Sequence, residues 1–207
     1  MSELKALQRQ KHLTPIGRHV YGALLEPRTS SFGKTEWMSA LVLSDADSEP
    51  LFAVIEELLA AKRNENSKFP TDNSKLKLPF RQSERKNEAG EREAVEGEWL
   101  WSFVRRLEKK GREGETVRNT PPVIYDSLGN VVTGKLNMIG GGTMGKVVFE
   151  SYVYDSPANK GVSFQLCGFQ ISELMVAPEQ KLDPIEGGSF VLATEEAEVA
   201  ALLGGNA

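Results

Sequence analysis

Gly140–Ser172, GGGTMGKVVFESYVYDSPANKGVSFQLCGFQIS, is the densest strand signal in the chain, and its reading decides the fold. From Lys146 to Tyr154 the residues alternate: Lys146, Val148, Glu150, Tyr152 and Tyr154 share one face, while Val147, Phe149, Ser151 and Val153 share the other. That pattern predicts a strand with one dry face and one polar face bearing aromatics. The turn-forming run Asp155–Gly161 leads into a second arm, Val162–Ile171, so the stretch reads as one long β-hairpin. A hairpin of this length is stable only beside further strands, which the rest of the chain must supply.

Gly140–Lys146 also fits the first seven positions of the phosphate-cradling loop G-x-x-x-x-G-K-[ST]. Val147 stands where the magnesium-binding hydroxyl belongs, and the residues that follow are β-branched and alternating, whereas a phosphate loop must open a helix. The glycines read better as a flexible entry into a strand.

At 207 residues the chain is long enough for one domain with a core, plus tails. It has no apolar run of bilayer-spanning length, and MSELKALQRQKH lacks the apolar segment of a secretion signal, so a cytoplasmic location is expected, without membrane contact. The single cysteine, Cys167, sits inside a strand pattern and reads as a small buried hydrophobe. With only His12 and His19 besides, no metal site is expected, and no cofactor. The net charge of −4 conceals an asymmetry: residues 1–172 carry 24 basic and 22 acidic side chains, residues 173–207 one lysine and seven acids.

Along the chain, residues 1–12 form a short basic arm with Lys5, Arg9 and Lys11. Leu13–Glu26 reads as a strand bent at Gly17 and Gly22, with Arg18 and Tyr21 able to reach its exposed side. A loop bearing Arg28, Phe32 and Lys34 joins it to a second strand, Thr35–Leu43. Ser44–Pro50 supplies helix caps for LFAVIEELLAAKR, whose Leu51, Val54, Ile55, Leu58 and Leu59 form one apolar stripe. Residues 62–98 read as an extended, mobile, charged insertion in which Lys75, Lys77, Arg81, Arg85 and Lys86 surround Phe80. Glu98–Arg106, EWLWSFVRR, is a third strand; its Trp99-Trp101-Phe103-Arg105 face is equally compatible with core and with a stacking platform. After the charged loop Glu108–Asn119, Pro121–Asp126 and Val131–Val132 make a small tight hairpin. Residues 177–207 read as a flexible acidic tail with Thr194 able to cap a short helix.

Two bent strands, a third, a small hairpin and the long hairpin, with one principal helix, describe a mainly β protein: an open barrel of the oligonucleotide-binding type spanning residues 13–176. The loops that such a barrel uses for binding map to Arg28/Phe32/Lys34 and to Asp155–Gly161.

Arg18, Leu25–Pro27, Trp37–Ser44, Pro122–Asp126 with Gly129, Gly145, Tyr154, Gly161–Leu166 and Gln170 together resemble the single-stranded DNA-binding proteins of tailed bacteriophages. The matches are short and spread over Leu13–Val176; Glu150 and the 62–98 insertion depart from the pattern. The resemblance implies an elaborated oligonucleotide-binding fold and sequence-independent coating of single strands during phage DNA replication or recombination. The residues suit that work, because such a binder needs cations to follow phosphates and flat rings for bases, and needs no nucleophile or metal. No enzymatic activity is expected.

The binding face is predicted to comprise Lys146, Tyr152 and Tyr154, Arg18 and Tyr21 beside them, and Arg28 and Lys34 from the first loop, with Trp99, Trp101, Arg105 and Tyr125 in a second rank. The tail is expected to compete for the groove or to dock replication proteins, and an oligomer is compatible with the sequence. Two rivals stay open: a barrel that holds another protein, and a phosphate-handling enzyme built on the glycine loop.

Overall fold

The structure, a computed structural model, describes residues 2–8, 10–30, 33–111, 113–134, 136 and 138–175. The acidic tail at 177–207, with Thr194, and the loop residue Phe32 lie outside the described residues. In chain order the elements are α1 Glu3–Leu7, β1 Lys11–Leu13, β2 Gly17–Thr29, β3 Thr35–Ser44, α2 Asp45–Glu65, β4 Phe80–Lys86, β5 Arg92–Arg106, β6 Glu108–Lys110, β7 Thr116–Arg118, β8 Val123–Tyr125, β9 Met144–Asp155 and β10 Lys160–Glu173. The quoted stretch is the hairpin β9–β10, paired from Lys160↔Asp155 to Glu173↔Met144, with register shifts between Leu166 and Gly168 and between Ile171 and Glu173.

The strands β2, β3, β5, β10 and β9 close on themselves. β2 pairs with β3 and β3 with β5, both antiparallel. β5 meets β10 in parallel at Phe103↔Phe164 and Val104↔Gln165. The ring is completed where Gly17 and Arg18 of β2 pair with Gly145 and Met144 of β9. This is the five-stranded, partly open barrel of the oligonucleotide-binding fold. β1 extends the β9 edge, β8 adds to β10, and β6–β7 form a separate two-stranded ribbon.

Inside the barrel Trp101, Phe103, Phe149, Phe164, Leu41 and Leu166 are at most 1 % exposed. Phe164 and Trp101 are near-parallel at 5.8 Å, and Phe149 lies 4.4 Å from Phe164. Helix α2 starts at Ser44, whose side chain accepts from the Asp47 amide, and it buries Ser48, Leu51, Ile55, Leu58, Leu59 and Ala61. Two indoles fasten it to the barrel: Trp99 Nε1 donates to Asp45 Oδ1 at 2.6 Å, and Trp101 Nε1 to Ser48 Oγ at 3.0 Å.

Residues 62–98 differ from the sequence reading. They contain the end of α2, a short 3-10 turn at Asn73–Lys75, and the hairpin of β4 with the start of β5, paired from Phe80↔Trp101 to Lys86↔Arg92. Phe80 is packed edge-on to Phe52 and Trp99, on the inner side. It is therefore core and not a ring among cations. The charged loop expected at Glu108–Asn119 holds the β6–β7 ribbon.

The glycine run leads into strand β9 and not into the helix that a phosphate loop opens. Gly140 N–H donates to the Met175 carbonyl, Gly142 N–H to His19 and Thr143 N–H to Gly140, so these amides are already committed. Gly142 has φ +96, and a Cβ on Gly141 would lie 2.7 Å from the Val20 carbonyl; the run serves to lay this loop flat on β2.

His19, 1 % exposed, shares a hydrogen bond with Ser39 Oγ through Nδ1 at 3.0 Å and packs edge-on to Phe169. Burial lowers its pKa to about 4 from 6.5. The unfolded chain therefore takes up a proton between pH 6.5 and 4 that the folded chain resists, so stability is complete above pH 6.5 and falls as pH drops through that window. Urea titrations should show a loss of about 2 kcal/mol between pH 7 and pH 5 from this group, and His19→Gln should abolish that step. A His19→Gln variant with the same step would refute the assignment.

Candidate nucleic-acid interface

Because the aromatics of β5 point inward, its alternate residues Leu100, Ser102, Val104 and Arg106 point outward, opposite Val42, Ala40, Met38 and Glu36 of β3. The outer face thus has a floor of small and aliphatic side chains. Tyr21 of β2 pairs with Ala40, Ala40 with Ser102, and on the far side Ser163 with Tyr152. The two tyrosines, 43 % and 37 % exposed, end a row that crosses the face.

The gap where β5 and β10 diverge is closed by a strap, Lys77–Pro79. Lys77 N–H donates to the Lys160 carbonyl at 2.9 Å, its carbonyl accepts from Val162 N–H at 3.0 Å, and Pro79 accepts from Ser102 N–H at 2.8 Å. Beside the strap lies a groove of about 560 Å³, within the range of small-ligand clefts. Lys34 from the β2–β3 loop, Ser156 and Asn159 from the β9–β10 loop, Arg106, Tyr152 and Tyr154 border it. These are the two loops and the strand face that this fold uses for oligonucleotides.

The cations of the groove are not held in ion pairs among the described residues. Lys34, Lys77 and Arg106 make no ion pair among the described residues, and no carboxylate lines the groove. The acid at the loop's start, Asp155, is neutralised by Lys62 and Lys160, each at 3.1 Å. Hydrogen bonds from Lys160 and then Lys62 hold its carboxyl below the usual range. Tyr152 and Tyr154 have ring centroids 6.4 Å apart at 56°. The Tyr154 hydroxyl donates to the Lys77 carbonyl at 3.4 Å, and burial, then Tyr152, raises its pKa, which keeps that donor protonated.

The predicted residues divide. Lys34, Tyr152 and Tyr154 converge on this groove, and Arg18 and Tyr21 line an adjoining pocket under the β4–β5 hairpin. Arg28 stands with Tyr21 around a third hollow, beside Leu136 and Ile139. Lys146 is apart: it is six residues from Tyr152 along β9, roughly 20 Å at the strand rise, beside Ile16, Ser127 and Gln170. Tyr125 covers Gly168 on that same remote side. Trp101, 0 % exposed, is core, and Trp99 is packed against α2 and Phe80; neither ring is free for a base. Arg105 is spent on the Thr120 carbonyl at 2.7 Å and the Leu166 carbonyl at 3.4 Å, so it anchors β5 internally. Glu150, unexplained by sequence, lies opposite Lys11 of β1 and not in the groove. Sequence reasoning missed Arg106 and, as a groove residue, Lys77. Arg106 follows from strand alternation once the inner face of β5 is known.

Among the described residues no three His, Cys, Asp or Glu side chains converge as a metal site would need, and no helix is long and apolar enough to cross a membrane.

No family model matches the sequence, and no curated protein matches it closely. Solved structures do. The single-stranded DNA-binding protein gp2.5 of bacteriophage T7 superposes with a TM-score of 0.58 at 18 % identity, over 86 % of this chain and 99 % of that one. The single-stranded DNA-binding protein of bacteriophage Enc34, solved in complex with ssDNA, gives 0.55 at 15 % identity, over 79 % of this chain and 86 % of that one. The chain has the fold of bacteriophage single-stranded DNA-binding proteins. At these identities the likeness speaks for architecture alone.

Gly161 is where the groove's wall is most sensitive. A Cβ there would lie 2.0 Å from the Lys77 carbonyl and 2.8 Å from the Tyr154 hydroxyl. Gly161→Ala should displace the strap and destabilise the fold by about 1–3 kcal/mol in urea titrations. An unchanged midpoint would show that the strap is not held as described.

Proposed function

We propose that this protein binds single-stranded DNA independently of sequence, along the outer face of β3 and β5 between the β2–β3 and β9–β10 loops. The observation that carries the reading is the pairing of three cations without an ion pair among the described residues, Lys34, Lys77 and Arg106, with the rings of Tyr152 and Tyr154 in one groove. Cations follow a phosphate backbone whatever its sequence, and each ring gives a stacked base about 1–3 kcal/mol. The floor of Ala40, Ser102 and Val104 offers few side-chain groups that could read base edges, which suits a binder that coats any strand.

The assignment implies a supporting role in phage DNA replication or recombination, with no bond made or broken by the protein itself. Its partners are then single-stranded DNA and, through the acidic residues 177–207, basic surfaces of replication or recombination proteins. Lys146, Tyr125 and the buried tryptophans are not part of the proposed contact.

Fluorescence anisotropy with labelled oligo-dT tests this. Tyr152→Ala and Tyr154→Ala should each weaken binding by about 1–3 kcal/mol. For an oligonucleotide of about six nucleotides, log affinity should fall with log salt at a slope near −2, about −0.7 for each of three cations, and should flatten in Lys34→Ala/Arg106→Ala. Salt-independent binding, or none, would favour the rival reading of a barrel that holds a protein.

A further inference from the structure

The outer face continues beyond the tyrosine groove. One outward position further along β3 and β5, Val42 and Leu100 are 7 % and 4 % exposed and pack with Val20 and Ala40 into an apolar cluster separate from the barrel core. This cluster floors a pocket of about 380 Å³ beneath the β4–β5 hairpin. Its walls are cationic: Arg18 from β2, Arg81, Arg85 and Lys86 from β4, and Arg92 from β5. Tyr21 stands at the rim and lines the same pocket as Arg81.

Two carboxylates hold these arginines in place. Glu84 Oε2 lies 3.1 Å from Arg81 and 3.7 Å from Arg92. Glu98 contacts Arg85 through Oε1 and Arg18, at 3.7 Å, through Oε2. Each acid is thus shared by two guanidiniums, leaving the set with more positive than negative charge even before Lys86 is counted. The guanidinium side chains of Arg81, Arg85 and Arg92 are 52–70 % exposed, so these pairs form in solvent and exchange readily. A phosphodiester offers two oxygens to the same forks that now hold carboxylates.

We propose that this pocket is a second nucleotide subsite, with a base on the Val20/Val42/Leu100 floor beside Tyr21 and its phosphate taking Arg81 and Arg92 from Glu84. It rests on the reading that the strand occupies the outer face, and it extends the track from the tyrosine groove onto the hairpin. Tyr21 stands on both: it ends the row that begins at Tyr152 and borders this pocket. Glu84 acts as a placeholder, keeping the arginines spread when no strand is bound.

The full chain is titrated with oligo-dT of about six and about thirty nucleotides, one within and one well beyond the site sizes of such barrels, about 4–16 nucleotides. Arg81→Ala/Arg92→Ala, at exposed positions that the fold does not need, should weaken the longer oligonucleotide about tenfold and make its salt slope shallower by about 1.4, with the shorter one changed less than about twofold. Glu84→Gln should tighten the longer one. Wild-type affinity and slope in both variants would overturn the subsite. If Tyr152→Ala/Tyr154→Ala weakens binding in that same case, the groove stands and only the hairpin subsite fails; if the tyrosine variant also binds like wild type, the groove reading fails with it.

Discussion

Trp101, Phe103, Phe149 and Phe164 occupy the interior of one small barrel, and their packing sets the phase of β5, β9 and β10. Side chains in a strand alternate, so each ring drawn inward sends its neighbours outward. Burying Trp101 and Phe103 is what exposes Ser102, Val104 and Arg106; burying Phe149 and Ser151 is what exposes Tyr152. A slip of one residue would bring Glu150 and Lys146 into the core, at a desolvation cost no barrel of this size could offset. The irregularity at Cys167 lets β10 absorb an extra residue, so that Phe164, Leu166 and Phe169 all stay inside.

Much of this was legible. The β9–β10 hairpin, the bent β2 and the capped helix α2 follow from period-two alternation, turn chemistry and an apolar stripe, all local signals. The two faces of β5 were not separable, because both are largely apolar. Helix α2 decides between them by placing Asp45 and Ser48 where the two indole N–H groups can be satisfied, a long-range contact that sequence does not display. β4 was hidden for another reason. Its residues FRQSERK carry almost no apolar alternation, and it is a strand because its backbone pairs with β5.

The site was legible in kind more than in place. Lysines, arginines and tyrosines on strand faces pointed to a polyanion binder. Treating the outer face of β9 as one surface joined Lys146 to Tyr152, although the strand's rise carries them to opposite ends. Counting charges also could not tell free cations from paired ones. The arginines under the hairpin are held by Glu84 and Glu98, whereas Lys34, Lys77 and Arg106 have no such partner among the described residues. That difference in compensation is why the proposed primary contact for a phosphate backbone is the tyrosine groove.

The proposed position of a single strand is between the two loops, over Tyr152 and Tyr154. Photo-crosslinking of the full chain to an oligonucleotide carrying bromodeoxyuridine, read by peptide mass spectrometry, tests that position directly. The predicted result is adducts on the peptide containing Tyr152 and Tyr154, lost when excess unlabelled oligo-dT competes. Adducts confined to the opposite side, around Tyr125 and Lys146, would contradict it.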